Sequence, residues 1–279
     1  MEKITVNFIQ KFKEHLVYEE KSRATVEKYV RDIKMFFSWL NSSEIDKNKI
    51  LEYKEYIILK YAPKSVNSII SSLNAFFEFT GELNLKIKTL KIQRCIFSRK
   101  EKELTKPEYE RLLTAANSIG NRKLFLLMQT ICATGIRVSE LPFISVSAIK
   151  SGQATINMKG KMRVIILPGS LCKALKRFAE SQRISEGSIF ITKTGKPLDR
   201  TNIWKLMKSL CETAKVDKEK VFPHNLRHLF ARTFYSLQKD IVRLADILGH
   251  SDVNTTRIYT MENSDVCRRQ IQKLNLLRC

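Results

Sequence analysis

Pro223-His224-Asn225-Leu226-Arg227-His228 and Leu248-Gly249-His250-Ser251-Asp252-Val253-Asn254-Thr255-Thr256-Arg257-Ile258-Tyr259 hold three of the chain's four histidines, with His15 far upstream. Proline suits the first turn of a helix, so a helix is predicted to start at Pro223. His224 and Arg227, three residues apart, then share one face. His224 and His228, four apart, have the spacing of a chelating pair, but no acidic or cysteine cluster lies in reach to complete a site, and no metal is assigned. By themselves, His250 after a glycine reads as a helix C-cap and Tyr259 as a core aromatic.

Working outward, Ala133-Thr134-Gly135-Ile136-Arg137-Val138-Ser139-Glu140-Leu141 sets Arg137 beside a glycine at a helix boundary. Alone, such an arginine caps a helix or pairs with Glu140. Thr155 to Leu167 switches to a strand period, with β-branched residues around Lys159-Gly160-Lys161, and reads as a hairpin. Thr105 and Glu108 make a capping box that opens a helix with Leu112, Leu113 and Ala116 on its apolar face. Further helices are predicted over Arg122 to Ala133, after Ser170, after Thr201, over Pro223 to Leu237 and from Asp240 to Leu248. The second half is therefore mainly helical with a small sheet.

The first half reads as four amphipathic helices. Phe8, Ile9, Phe12 and Leu16 recur at helical spacing, as do Val26, Tyr29, Val30, Ile33, Phe36, Phe37 and Leu40 in a helix starting near Ser22 to Thr25. A third helix covers Lys49 to Leu59, and a fourth runs from about Ser65 through Phe77 and stops at Gly81. Leu85 to Glu103 is basic and poor in apolar positions, and reads as a linker. The expected division is 1–84, a helical domain; 85–102, a basic linker; and 103–279, a second domain whose tail, about 262–279, forms a short amphipathic helix.

Composition narrows the function. The 279 residues carry 50 Lys+Arg against 28 Asp+Glu, a net charge of +22. Residues 1–100 contribute +7 and the remainder +15, so both halves can face a polyanion. Nucleic acid fits better than a membrane surface, because no basic amphipathic segment stands apart from the rest. No apolar run is long enough to span a membrane and no secretory signal is evident, which leads to an expectation of a cytoplasmic protein. The six cysteines are scattered and read as reduced thiols. Walker, dinucleotide, HExxH and EF-hand patterns are missing from the sequence, so no cofactor is assigned.

In this order and at these spacings the blocks resemble the tyrosine recombinase (phage integrase) family. Its motifs are matched by Thr134–Leu141, by Lys159 on a hairpin turn, by His224–His228, by the Leu-Gly-His block Leu248–Thr255, and by Tyr259 nine residues past His250. Ser22, Thr25, Tyr29, Asp32, Phe36 and Trp39-Leu40 resemble that family's DNA-clamping helical domain. The resemblance implies a fold that is mainly α with a small β-sheet: a four-helix SAM-like DNA-binding domain followed by an α+β catalytic domain, together clamping duplex DNA. It implies that Tyr259 attacks the scissile phosphate to give a 3′-phosphotyrosyl bond, and that Arg137 and Arg227 hold the non-bridging oxygens with His250. His224 would act as base or phosphate donor, and Lys159 would protonate the departing 5′ oxygen, with Lys161 the alternative. His228 is left structural.

The resemblance further implies a homotetramer on a double-stranded recombination site, passing through a Holliday junction, with the tail docking onto the next protomer. Arg243-Leu244-Ala245-Asp246 lacks the glutamine frequent before the Leu-Gly-His block in the Xer branch, which favours integration, excision or resolution of a mobile element. Xer-type dimer resolution is the alternative; a type IB topoisomerase or a non-catalytic DNA-binding regulator stands further off.

Overall fold

The computed structural model describes residues 6–41, 44–92, 103–158, 161–259 and 272–273. Contacts divide the chain into two compact units, Met1–Arg94 and Cys95–Cys279. Lys159 and the tail from 262, apart from residues 272–273, lie outside the described residues.

The first unit contains α1 (Val6–Tyr18), α2 (Arg23–Leu40), α3 (Lys47–Lys60) and α4 (Pro63–Phe79). Local chemistry sets the starts. The Ser22 hydroxyl accepts from the Thr25 amide, the Asp46 carboxylate accepts from the Lys49 amide at 2.7 Å, and Pro63 occupies the first turn of α4. The apolar stripes meet in a core of Phe12, Ile33, Phe36, Tyr53, Phe76 and Phe77, all essentially excluded from solvent. Phe12 and Phe76 pack edge to face at 5.2 Å. At the edge of this core the half-buried Lys28 bridges α2 and α4, donating to the Asp32 carboxylate at 2.6 Å, the Ser68 carbonyl at 2.8 Å and the Ser72 hydroxyl at 2.9 Å.

The expected linker differs from the structure at its start. Leu85 and Ile87 are buried in the first unit's core. Two asparagines of α4 grip this stretch through both amide atoms: Asn74 holds the backbone of Ile87 and Asn67 that of Leu90, at 2.7–2.9 Å. A dense run of lysines masked the alternating Leu85 and Ile87. Paired amide clasps of this kind depend on tertiary position, which sequence spacing does not encode.

The second unit contains α5 (Lys106–Ser118), α6 (Arg122–Thr134), α7 (Val146–Ser151), strands β1 (Gln153–Met158) and β2 (Lys161–Ile166), α8 (Gly169–Ser181), α9 (Arg200–Lys208), α10 (Cys211–Ala214), α11 (Pro223–Gln238) and α12 (Ile241–Leu248). Short 3-10 helical segments cover Val138–Phe143 and Val253–Tyr259. The strands form an antiparallel hairpin in which Met158 pairs with Lys161, so Lys161 opens β2 rather than sitting in the turn. The predicted capping box is present, with Thr105 and Glu108 bonded to each other's backbone. Leu112, Leu127, Ile131, Ile156, Leu175, Phe190 and Leu226 form the core. Two short helices, α7 and α10, escaped the sequence reading because six and four residues carry too little periodicity.

Candidate active site

Three chain reversals build the site. α6 ends at Gly135 in the left-handed conformation (φ 65°), which turns the chain so that Arg137 follows immediately. α12 ends at Gly249, also left-handed (φ 62°), and presents His250. The turn Val253–Tyr259 then returns Tyr259 against Ala231, Leu244 and Leu248. Glycine is needed at both caps. A Cβ on Gly135 would meet the Phe230 ring at 2.4 Å, and one on Gly249 would meet Arg163 at 2.6 Å.

Arg227, on α11 and 1% exposed, ties the two reversals together. Its Nη1 donates to the Gly135 carbonyl at 2.5 Å, and its Nη2 to the Leu248 carbonyl at 2.7 Å and to His250 Nε2 at 2.9 Å. A guanidinium has no acceptor, so His250 Nε2 must accept and its Nδ1 must carry the proton. That proton goes to the Thr256 hydroxyl at 2.9 Å. His250 is thus a neutral ring of assigned tautomer. Burial, followed by the charges of Arg227, Arg137 and Arg163, pushes its pKa down to about 4. His224 is lowered too, by burial and by Arg227, Arg200 and Arg137. Burial also brings Arg227 down to about 10, still charged near neutrality.

Arg137 stands at the open side, its side chain 40% exposed. Glu140, buried, accepts from the Arg137 amide at 2.7 Å and from Nη1 at 3.0 Å, while Nη2 donates to the Gly249 carbonyl at 3.2 Å. The pairing of Arg137 with Glu140 read from sequence is present. It coexists with the approach to the histidine-bearing turn rather than replacing it.

Tyr259 is 4% exposed. Its ring meets His228 edge-on at 4.9 Å and lies parallel to His250 at 6.3 Å, and its phenol is near enough to Arg227 to favour that residue's charged form. His228 in turn stacks edge-on with His224 at 4.4 Å. The structure therefore gathers Arg137, His224, Arg227, His250 and Tyr259. His228 joins them as a wall against the tyrosine ring. Among the described residues no group of three His, Cys, Asp or Glu side chains gathers in the manner of a metal site.

Two partners were not assigned to the site from sequence. Thr256, fully buried, orients His250 and lies one residue past the end of the matched Leu-Gly-His block. Arg163 on β2 donates to Glu140 at 2.5 Å and to the Ile247 carbonyl at 3.1 Å. A signal for it existed: Met162, Val164 and Ile166 face solvent while Arg163 takes the inward register with Ile165, an inversion of ordinary strand alternation.

The model of the phage integrase family matches residues 102–265, and that of the phage integrase N-terminal SAM-like domain matches residues 9–82. The chain belongs to the phage integrase family, the tyrosine recombinases, and is a site-specific DNA recombinase by class. It is 26% identical to the tyrosine recombinase XerA of Thermococcus kodakarensis, over 96% of this chain and 95% of that protein. It is 28% identical to the tyrosine recombinase XerD of Xanthomonas campestris (96% and 90% covered) and 25% identical to the TnP I resolvase of Bacillus thuringiensis (95% and 99%). In fold it resembles a lambda integrase tetramer bound to a Holliday junction, with TM-score 0.72, 20% identity, and 91% of this chain and 76% of that chain covered. No helix among the described residues is long and apolar enough to cross a membrane.

Proposed function

We propose that the chain cleaves and rejoins duplex DNA at a specific site, with Tyr259 as the nucleophile. The observation that carries this reading is electrostatic: Arg137 and Arg163 share one buried carboxylate, Glu140, and the buried Arg227 lies near enough to feel both of their charges, beside neutral histidines and a tyrosine. Such an excess of fixed positive charge in poorly solvated surroundings is unfavourable unless an anion completes it, and a phosphodiester approaching its transition state is that anion.

The Tyr259 oxygen attacks phosphorus, the bond to the 5′ oxygen breaks, and the electron pair leaves on that oxygen, which takes up a proton. A 3′-phosphotyrosyl ester keeps the bond energy, so rejoining needs no nucleotide triphosphate. Arg137 and Arg227 offer the planar forks that match two non-bridging oxygens, and His250 adds a third contact once its Nε2 carries a proton. His224, neutral and at the rim, is suited to accept the phenol proton. Lys159 is assigned as the acid for the 5′ oxygen on its place in the motif. The helical unit, matched to a SAM-like domain, would supply the remaining backbone contacts.

Relatives that include a resolvase and structural neighbours that include a Holliday-junction tetramer support a homotetramer acting on paired sites, in integration, excision or resolution of a mobile element. Xer-type dimer resolution is the second reading, favoured by relatives named XerA and XerD. Recombination of the DNA flanking the gene, against recombination of a chromosomal dimer-resolution site, separates the two. The chemistry is tested with Tyr259→Phe on a nicked suicide duplex. Binding should persist and the covalent adduct vanish; a surviving adduct would assign the nucleophile elsewhere.

A further inference from the structure

Glu140 divides its two oxygens unequally. Oε1 takes only Arg137 Nη1, whereas Oε2 takes the Arg137 amide and Arg163 Nη2. The carboxylate is 95% excluded from solvent at the side chain, so these donors form most of its surroundings. Arg163 has a second hold on the site: its Nη1 donates to the Ile247 carbonyl, and its Cδ and Nη1 lie 2.6 Å from where a Cβ on Gly249 would be. One side chain from β2 therefore spans the segment bearing Arg137 and the turn bearing His250. The hairpin that carries Lys159 is fastened to both.

We propose that Arg163 is a positioning residue that sets the reach of Arg137 by sharing Glu140 with it. Two cations on one buried carboxylate each receive only part of its attraction, and Arg137 is left half exposed with N–H groups to spare. Without Arg163, Arg137 would become the sole cation on Glu140, and the undivided carboxylate would draw its fork inward, away from an incoming phosphate oxygen. The hairpin would also lose its fastening to the His250 turn. Misplacement by about 1 Å in a site of this kind costs about 100-fold in rate. The proposal rests on the reading of Arg137 as a phosphate ligand.

The test uses the full-length protein and a nicked suicide duplex, with adduct rate, duplex affinity and thermal midpoint measured for each variant. Arg163→Met keeps the aliphatic stem over Gly249 and removes the fork. It should slow adduct formation by about 100-fold while affinity changes less than about threefold, and Arg163→Lys should recover part of the rate. In a Glu140→Gln background, which removes the shared charge, Arg163→Met should add much less than it does alone. Full additivity of the two changes, or equal losses in rate and affinity, would overturn the proposal and leave Arg163 as a structural tie. An unchanged rate in Arg163→Met would overturn it as well. Arg137→Ala is run alongside: if that variant cleaves normally, the reading of Arg137 itself fails, whereas a crippled Arg137→Ala beside an active Arg163→Met rejects only the inference about Arg163.

Discussion

Gly249→Ala and Gly152→Ala form a pair that isolates one contact. Both glycines cap a helix in the left-handed conformation, at φ 62° and φ 73°, so both substitutions incur the same backbone penalty of about 1 kcal/mol. Their surroundings differ. A Cβ on Gly152 meets nothing within 4 Å, while one on Gly249 meets Arg163 Cδ and Nη1 at 2.6 Å. Arg163 has little freedom to move, because its bonds to Glu140 at 2.5 Å and Ile247 at 3.1 Å hold both ends of the fork. Making room breaks at least one of them, at about 1.5–3 kcal/mol for a charge-assisted bond. The expected destabilisation is about 1 kcal/mol for Gly152→Ala and about 3 kcal/mol for Gly249→Ala. For a unit of this size that corresponds to melting points lower by about 3 °C and about 10 °C. Adduct formation on a suicide duplex, measured well below both melting points, should fall about 100-fold in Gly249→Ala and stay near wild type in Gly152→Ala. Equal melting points for the two variants, or normal cleavage by Gly249→Ala, would refute the packing of Arg163 across this turn.

Thr256→Val removes the hydroxyl that orients the His250 ring while keeping its shape. Adduct formation should drop about tenfold with duplex affinity held within about twofold, and an equal loss of affinity would contradict an orienting role. Stability should also fall with acidity. His228 and His250 are held near pKa 4 in the fold, His228 mainly by burial and His224, against an ordinary value near 6.5, so the unfolded chain binds protons first. Stability is therefore complete above about pH 6.5 and is lost as the pH falls towards 4. Discounted for partial solvent screening, the loss by pH 5 should be about 2 kcal/mol, and matching urea midpoints at pH 7 and pH 5 would contradict it.

Helix periodicity and capping chemistry were legible because they are local. Ser22, Thr105 and Pro223 mark the same helix starts in the sequence and in the structure. The gathering of Arg137, His224, Arg227, His250 and Tyr259 was legible as well, because motif order substitutes for the missing distances. What stayed hidden depends on tertiary position. Thr256 becomes a partner of His250 only after the turn Val253–Tyr259 has closed, and Arg163 acts through Glu140 only after the hairpin has docked. His228, read from sequence as structural, packs its ring edge-on against Tyr259.

The two arginines are not equivalent, although the motif presents them as a pair. Arg137 is half open and committed to one carboxylate and one carbonyl, so a phosphate can reach it from solvent. Arg227 is closed off and carries the carbonyls of both helix ends, Gly135 and Leu248, together with His250. Removing it would leave two buried carbonyls unpaired, at about 1–3 kcal/mol each, besides withdrawing a charge from the phosphate. Loss of activity on substitution of Arg227 would therefore mix chemistry with local collapse. At Arg137 most of the loss would be electrostatic. Since Arg227 and Tyr259 are both nearly inaccessible, direct contact of either with a phosphate requires the Val253–Tyr259 turn or the His250 ring to shift. Of the two arginines, Arg137 is therefore the one open to an incoming anion without any such shift.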